Sequence, residues 1–151
     1  MRNRASGNAL VLGMGVVLGL LFVGGMVTPL ASGSKAGSGD VARGKYLVES
    51  LGMCGDCHTP QNEKGKPIKD QALSGAPVLF KPTVPVPAWA DKSPNLVGLK
   101  GWEDAAAIKF LMTGIAYNGL PARPPMPQFR MSKEDATAVV AYLKSLSAPG
   151  K

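Results

Sequence analysis

Five consecutive residues, Cys54-Gly55-Asp56-Cys57-His58, hold both cysteines and the only histidine of the 151-residue chain. Two thiols three positions apart, with an imidazole directly after the second, form the attachment pattern of c-type haem. Each thiol can add to one vinyl group of a porphyrin, and the two-residue spacer matches the separation of the vinyls. The next side chain then lies under the iron, where imidazole can bind it. Two other chemistries use the same residue types. A redox dithiol expects a strand before the motif and a βαβ pattern around it; here a helical pattern precedes it and strand-like alternation is scarce. A zinc site needs a second pair of ligands, and no Cys or His remains to supply one. The reading is one haem c, covalent through Cys54 and Cys57, with His58 on the iron.

One axial position is left for a second ligand, and the chain has seven Met. Met1, Met14 and Met26 fall in the N-terminal apolar segment. Met53 abuts Cys54 on the proximal side and cannot easily reach around the ring. Met112 sits on the apolar stripe of a helix, and Met131 begins the last helix. Met126 is the candidate, within Arg123-Pro124-Pro125-Met126-Pro127-Gln128-Phe129. Prolines fix φ near about −65° and donate no hydrogen bond. Such a loop can hold a soft thioether in place, and Met/His is a recognised haem ligand pair that raises the reduction potential. Iron ligated on both sides has no open position for oxygen or peroxide, which points to electron transfer rather than catalysis or a small-molecule substrate.

Three helices must carry these groups. Val41, Gly44, Leu47, Val48 and Leu51 predict a helix from Val41 to Leu51, with Asp40 as N-cap. A second runs from Glu103 to Thr113, with Ile108, Leu111, Met112 and Ile115 as its stripe and Gly114 as its stop. The last runs from Ser132 to Leu146, capped by Ser132 with Asp135 three residues on. Between Thr59 and Lys100 lie 42 residues with seven Pro and no clear periodicity. This length of loop implies a function, and the expectation is that it wraps the haem edge. Trp102 can donate a hydrogen bond to a haem propionate or serve plain packing. For Trp89 and Tyr117 plain packing is the reading, and Arg123 and Arg130 read as solvated surface.

The haem motif, Ser93-Pro94-Asn95-Leu96-Val97-Gly98-Leu99, Pro125-Met126-Pro127-Gln128-Phe129 and Ala141-Tyr142-Leu143 together resemble the class I c-type cytochromes, over roughly residues 40–146. The similarity is greatest to bacterial monohaem cytochrome domains that serve membrane-bound dehydrogenases and respiratory complexes, whose Cys-His-Thr-Pro continuation matches His58-Thr59-Pro60. The resemblance implies a mainly α, haem-enclosing domain and agrees on Met126 as the second ligand. It implies that the Pro94 carbonyl receives the free ring nitrogen of His58, which orients the ligand, and that Leu96 packs on the porphyrin. It implies a crossing of first and last helices at Gly44 and Tyr142. Two departures stand out: the spacing from Gly44 to the motif is slightly long, and the family usually places the proline much sooner after the motif.

Arg2 and Arg4 are the only charges before Lys35, and an apolar run extends from Ala9 to about Ala31. A secretory signal has an apolar stretch of roughly 7–15 residues, whereas a spanning helix needs about 20. The 19 residues from Ala9 to Val27 lean toward a retained anchor, while small residues near Ala31 and Ser34 leave a cleaved signal open. Either way the basic end stays inside and the remainder is exported. The expected layout is anchor or signal over 1–31, linker over 32–39 and haem domain over 40–151. The net charge is +7, or +5 without Arg2 and Arg4; scattered lysines can steer docking to an acidic partner. Export and the lack of a basic–aromatic motif argue against nucleic acid. The expected function is single-electron transfer on the outer side of the cytoplasmic membrane, to or from subunits of an electron-transport complex. A soluble periplasmic shuttle and a gas-binding haem sensor are the alternatives.

Overall fold

The computed structural model describes residues 38–146. Helix α1 spans Ser38–Tyr46 and continues into a wider π turn over Leu47–Leu51. Helix α2 is one turn, Cys54–His58. Helices α3, Asp104–Thr113, and α4, Lys133–Ser145, follow. The mainly helical architecture agrees with expectation; residues 1–31, with the expected anchor or signal, lie outside the described residues. Among the described residues no helix is long and apolar enough to cross a membrane.

The core is the crossing of α1 and α4. Leu47 and Val48 pack with Ala138, Val139, Tyr142 and Leu143, and Val97, Leu99 and Ala107 close the cluster. Gly44 sets the approach: a Cβ there would overlap the Ala138 carbonyl and lie 2.7 Å from the Tyr142 Cβ. The absent side chain outweighs the roughly 1 kcal/mol by which glycine weakens a helix, because it lets backbone meet backbone. Polar groups tie the rim of the same contact. Arg43 makes two hydrogen bonds to the Asp135 carboxylate at 3.0 and 3.3 Å, and Tyr142 Oη donates to Glu49 Oε1 at 2.5 Å. Lys144 pairs with Asp104 across α4 and α3.

Helix ends follow local chemistry with one correction. Ser132 caps α4, its Oγ accepting from Asp135 N at 3.1 Å, while the Asp135 carboxylate turns to Arg43 instead of back to the cap. Glu103 precedes α3, and Gly114, at φ 72°, ends it. Asp40 is not the cap of α1. The helix starts at Ser38, and Asp40 sits in its first turn, where the positive end of the helix dipole favours a carboxylate. The π turn is the unforeseen element. Gly52 N bonds back five residues to Leu47 O at 2.7 Å, and the wider turn takes up the additional length between Gly44 and the cysteine motif. Met53, at φ 46°, then turns the chain into α2.

The stretch from Thr59 to Lys100 is ordered by bonds between distant residues. Strand β1, Ala76–Pro77, pairs antiparallel with β2, Lys92–Ser93. Gly75 makes this possible: at φ 90°, a Cβ would lie 2.9 Å from both Ser93 O and Asn95 N. Between the strands, residues 78–91 form a strap, followed by the buried turn Val97–Leu99.

Two outcomes are expected. Gly44→Ala forces the helices apart and lowers stability by at least about 2 kcal/mol, read as the denaturant midpoint. The Tyr142 phenol is pushed up to about 12, first by burial and then by its bond to Glu49. The folded protein therefore holds this proton more tightly than the unfolded chain. Its contribution is whole below the ordinary value of 10.0 and is lost as pH rises towards about 12. Alkaline titration of the folded fraction will show that loss, and Tyr142→Phe will flatten it.

Candidate functional site

On α2, Cys57 stands three and His58 four residues after Cys54. On a helix such positions share a face, so both thiols and the imidazole emerge together. The thiols are free; Cys54 is half-buried and Cys57 exposed. Burial, chiefly, raises the Cys54 thiol above its ordinary value. His58 is 4% exposed. Its Nδ1 lies 2.8 Å from the Pro94 carbonyl. A carbonyl only accepts, so Nδ1 carries the proton and Nε2 keeps a lone pair. Burial also pushes the His58 pKa down, against the opposing pull of the Pro94 carbonyl. A neutral imidazole with one nitrogen committed is the form that binds a metal.

The 59–100 stretch frames this histidine. Gly75 N donates to His58 O at 2.8 Å. Ser93 Oγ sits between the carbonyls of Cys57 and Ala76, donating its one proton to one of them, and accepts from Ala76 N at 3.1 Å. Thr59, buried beside His58, accepts from Leu73 N at 3.0 Å. The proline's late position is thus a detour: the chain leaves α2, turns at Gly75, runs out along the strap and returns at Ser93 to place Pro94 on the ring. Leu96 is partly buried against the core cluster, and its amide bonds Leu73 O at 2.9 Å.

Met126 stands half-buried in a loop fastened from two directions. Ala122 N bonds Gly114 O at 2.8 Å, at the end of α3, and Met126 N closes a turn on Arg123 O at 3.0 Å. The Pro124–Pro125 peptide is cis. From the strap, Ala90 N bonds Pro124 O at 2.7 Å. Arg123 is no solvated bystander. Its Nε donates to Ala88 O at 3.0 Å and its Nη2 to Trp89 O at 2.8 Å. Only the fold reveals this clamp, because its partners are backbone carbonyls 34 and 35 residues away. Of the other methionines, Met1, Met14 and Met26 lie outside the described residues. Met53 is exposed, Met112 is half-buried on α3, and Met131 packs on the core. Trp102 packs against the core and meets the rings of Phe110 at 5.5 Å and Tyr117 at 5.2 Å.

The residues present fit haem c. Two free thiols and an imidazole with a spare lone pair share one face. A thioether stands in a braced loop, and the strap between them carries one buried donor without a partner, Trp89 Nε1. Cys54 and Cys57 would hold the group covalently, and His58 and Met126 would reach its iron. A cleft of about 420 Å³ is lined by Gly55, Asp56, Thr59, Leu73, Val97 and Tyr142 among others. None of the four ligand candidates lines it. Thr59→Val, nearly isosteric, removes the acceptor of the buried Leu73 amide and should lower the unfolding free energy by about 1–3 kcal/mol; denaturant titration measures it.

Comparison with known proteins identifies the family. The sequence profile of the family described as Cytochrome c matches residues 41–147. The chain is 35% identical over 119 residues to the gluconate 2-dehydrogenase cytochrome c subunit of Pantoea cypripedii, covering 72% of this chain and 26% of that protein. It is 31% identical over 119 residues to the fructose dehydrogenase cytochrome subunit of Gluconobacter japonicus, covering 72% and 22%. It is 33% identical over 120 residues to a diheme cytochrome c-type protein of Cereibacter sphaeroides, covering 73% and 38%. The matches thus span about a fifth to two fifths of these relatives' length. With a haem-attachment motif, a helical frame and a family match over most of its length, the chain belongs to the cytochrome c family, whose work is electron transfer by covalently bound haem.

Proposed function

We propose that this chain carries single electrons through one haem c, joined to Cys54 and Cys57 and ligated by His58 Nε2 and Met126 Sδ, outside the cytoplasmic membrane. The observation that carries the reading is the His58 imidazole, held by Pro94 at Nδ1 and bare at Nε2, one position beyond the second cysteine. The single Cys-x-x-Cys-His motif supports one haem. Haem c supplies one-electron ferric–ferrous chemistry. The protein's share is to fix both ligands, so that little rearranges when the charge changes. Pro94 and the Thr59–Ser93 frame hold the imidazole, and Arg123 and Ala90 brace the methionine loop. Leu96 lies on the porphyrin in this reading, and Trp102 flanks the crevice.

The partners are redox proteins, in this reading subunits of a membrane dehydrogenase. Relatives named as cytochrome subunits of gluconate, fructose and quinone-dependent alcohol dehydrogenases support it. Residues 1–31 serve as the anchor, a linker follows from residue 32, and the haem domain runs from the start of α1 at Ser38. Lysines at positions 64, 66, 69, 81, 92, 100 and 109 give the domain a basic surface for acidic partners.

Membranes extracted in mild detergent and run on a native gel stained for haem test the placement. A large haem-positive assembly whose chain keeps its first residues supports the anchored subunit. A small soluble band beginning near Ser34 overturns it in favour of a shuttle. Met126→Ala tests the ligand pair. The variant is expected to bind CO when reduced and to shift its redox equilibrium toward ferric by at least about tenfold, roughly 59 mV for one electron. A variant with native potential and spectrum sinks the Met126 assignment.

A further inference from the structure

The ten Asp and Glu of the chain leave two stretches untouched. Residues 71–90 carry Lys81 and no carboxylate, and residues 105–133 carry Lys109, Arg123, Arg130 and Lys133 and no carboxylate. The fold ties these stretches together. Arg123 donates to the carbonyls of Ala88 and Trp89, and Ala90 N bonds Pro124 O at 2.7 Å. The same two stretches hold five of the eight large apolar side chains exposed among the described residues: Leu79, Phe80, Val84, Tyr117 and Leu120. Three of them fall within six residues of the strap, where Leu79 is 72% and Val84 64% exposed. Clustered apolar groups, in a stretch free of carboxylates, have the composition of an interface centre.

The strap that presents them is held in shape. Val78 N bonds Asp91 O at 2.9 Å and closes its base. Phe80 meets Trp89 edge-on, with ring centroids 5.7 Å apart, and ties the outgoing limb to the returning one. Pro82, Pro85 and Pro87 fix φ between them. A surface set before its partner arrives loses little conformational freedom on docking.

We propose that Leu79, Phe80 and Val84 form the apolar centre of a docking surface for a redox partner protein, whose facing patch is apolar and brings carboxylates toward Lys81. This deepens, and rests on, the reading of the chain as an electron carrier. Charge and continuity commit the occupant. Lys81 within the apolar run and Arg123 at its base attract a carboxylate-bearing face. A second copy, meeting this one patch to patch, sets like charge against like. The strap is also continuous with the ligand candidates: it leads into Pro94, which receives the His58 Nδ1 proton, and it bonds the Met126 loop. A partner seated here rests on the segment joined to both. The apolar centre supplies most of the affinity, because exposed ion pairs contribute little and desolvated apolar anchors dominate binding. The cations set the rate of approach.

A photocrosslinking residue, p-benzoylphenylalanine, placed at Val84 in the full-length haem-loaded chain in its own membranes reads the contact directly. The same residue at Tyr46, exposed on α1, is the control. The Val84 probe is expected to join a protein that itself carries a redox cofactor, and the Tyr46 probe is not. With that protein purified, Leu79→Ser combined with Val84→Ser is expected to raise KM for electron exchange about tenfold at unchanged kcat. Lys81→Glu is expected to slow association at low salt, a difference that closes as salt is raised. Haem content and spectrum should stay native in every variant. No adduct at Val84, an adduct with a second copy or with lipid, or a native KM in the double variant overturns the proposal while the haem reading stands. A wild-type chain without covalent haem overturns the electron-carrier reading itself, whatever Val84 touches.

Discussion

One buried imidazole has to keep one nitrogen bare, and the rest of the domain is arranged around that requirement. The bond between His58 Nδ1 and the Pro94 carbonyl meets it. It decides the tautomer, stops the ring from turning and leaves the Nε2 lone pair uncommitted. The acceptor comes from 36 residues away in sequence. The intervening chain must therefore leave α2 and return to it at a defined place. The close passage at Gly75, the short β1–β2 pair and the placement of Ser93 against the Cys57 carbonyl accomplish that return.

The platform beneath is the α1–α4 crossing. Glycine at position 44 removes the barrier to close approach, and the apolar faces of both helices fill the contact. Burial supplies the non-directional part of the stability at about 25 cal/mol per Å² of apolar surface. The Arg43–Asp135 and Tyr142–Glu49 bonds add direction at the rim. The π turn then converts the end of α1 into the start of α2. Helix packing and haem motif are thus joined by a local widening of one turn, and the thiols inherit their position from the helix crossing.

The strap links the segments that carry His58 and Met126. At its base it orients His58, and at its far end it holds the Met126 loop through Arg123 and Ala90. A carrier gains from such bracing, because a ligand that moves when charge moves adds to the barrier. In the proposed reading one continuous segment serves both ligands.

Much of the site was legible in the sequence, because its signals are local. The cysteine motif is covalent chemistry within five residues. Helices α3 and α4 follow from periodicity and from caps at Ser132 and Gly114, within one residue of expectation. Gly44 against Tyr142 followed from the resemblance to a known family, and the structure has that contact. What tertiary structure decided has no local period. Proline removes backbone donors and breaks alternation, so the segment from 59 to 100 carries no readable pattern. Its order comes from single hydrogen bonds between distant residues: Thr59 to Leu73, Ser93 to Cys57, and Arg123 to Ala88 and Trp89. Composition marks Trp89 only as an aromatic residue in a proline-rich run. That its N–H is buried and unanswered depends on what the fold packs around it, and no stretch of sequence near residue 89 encodes that.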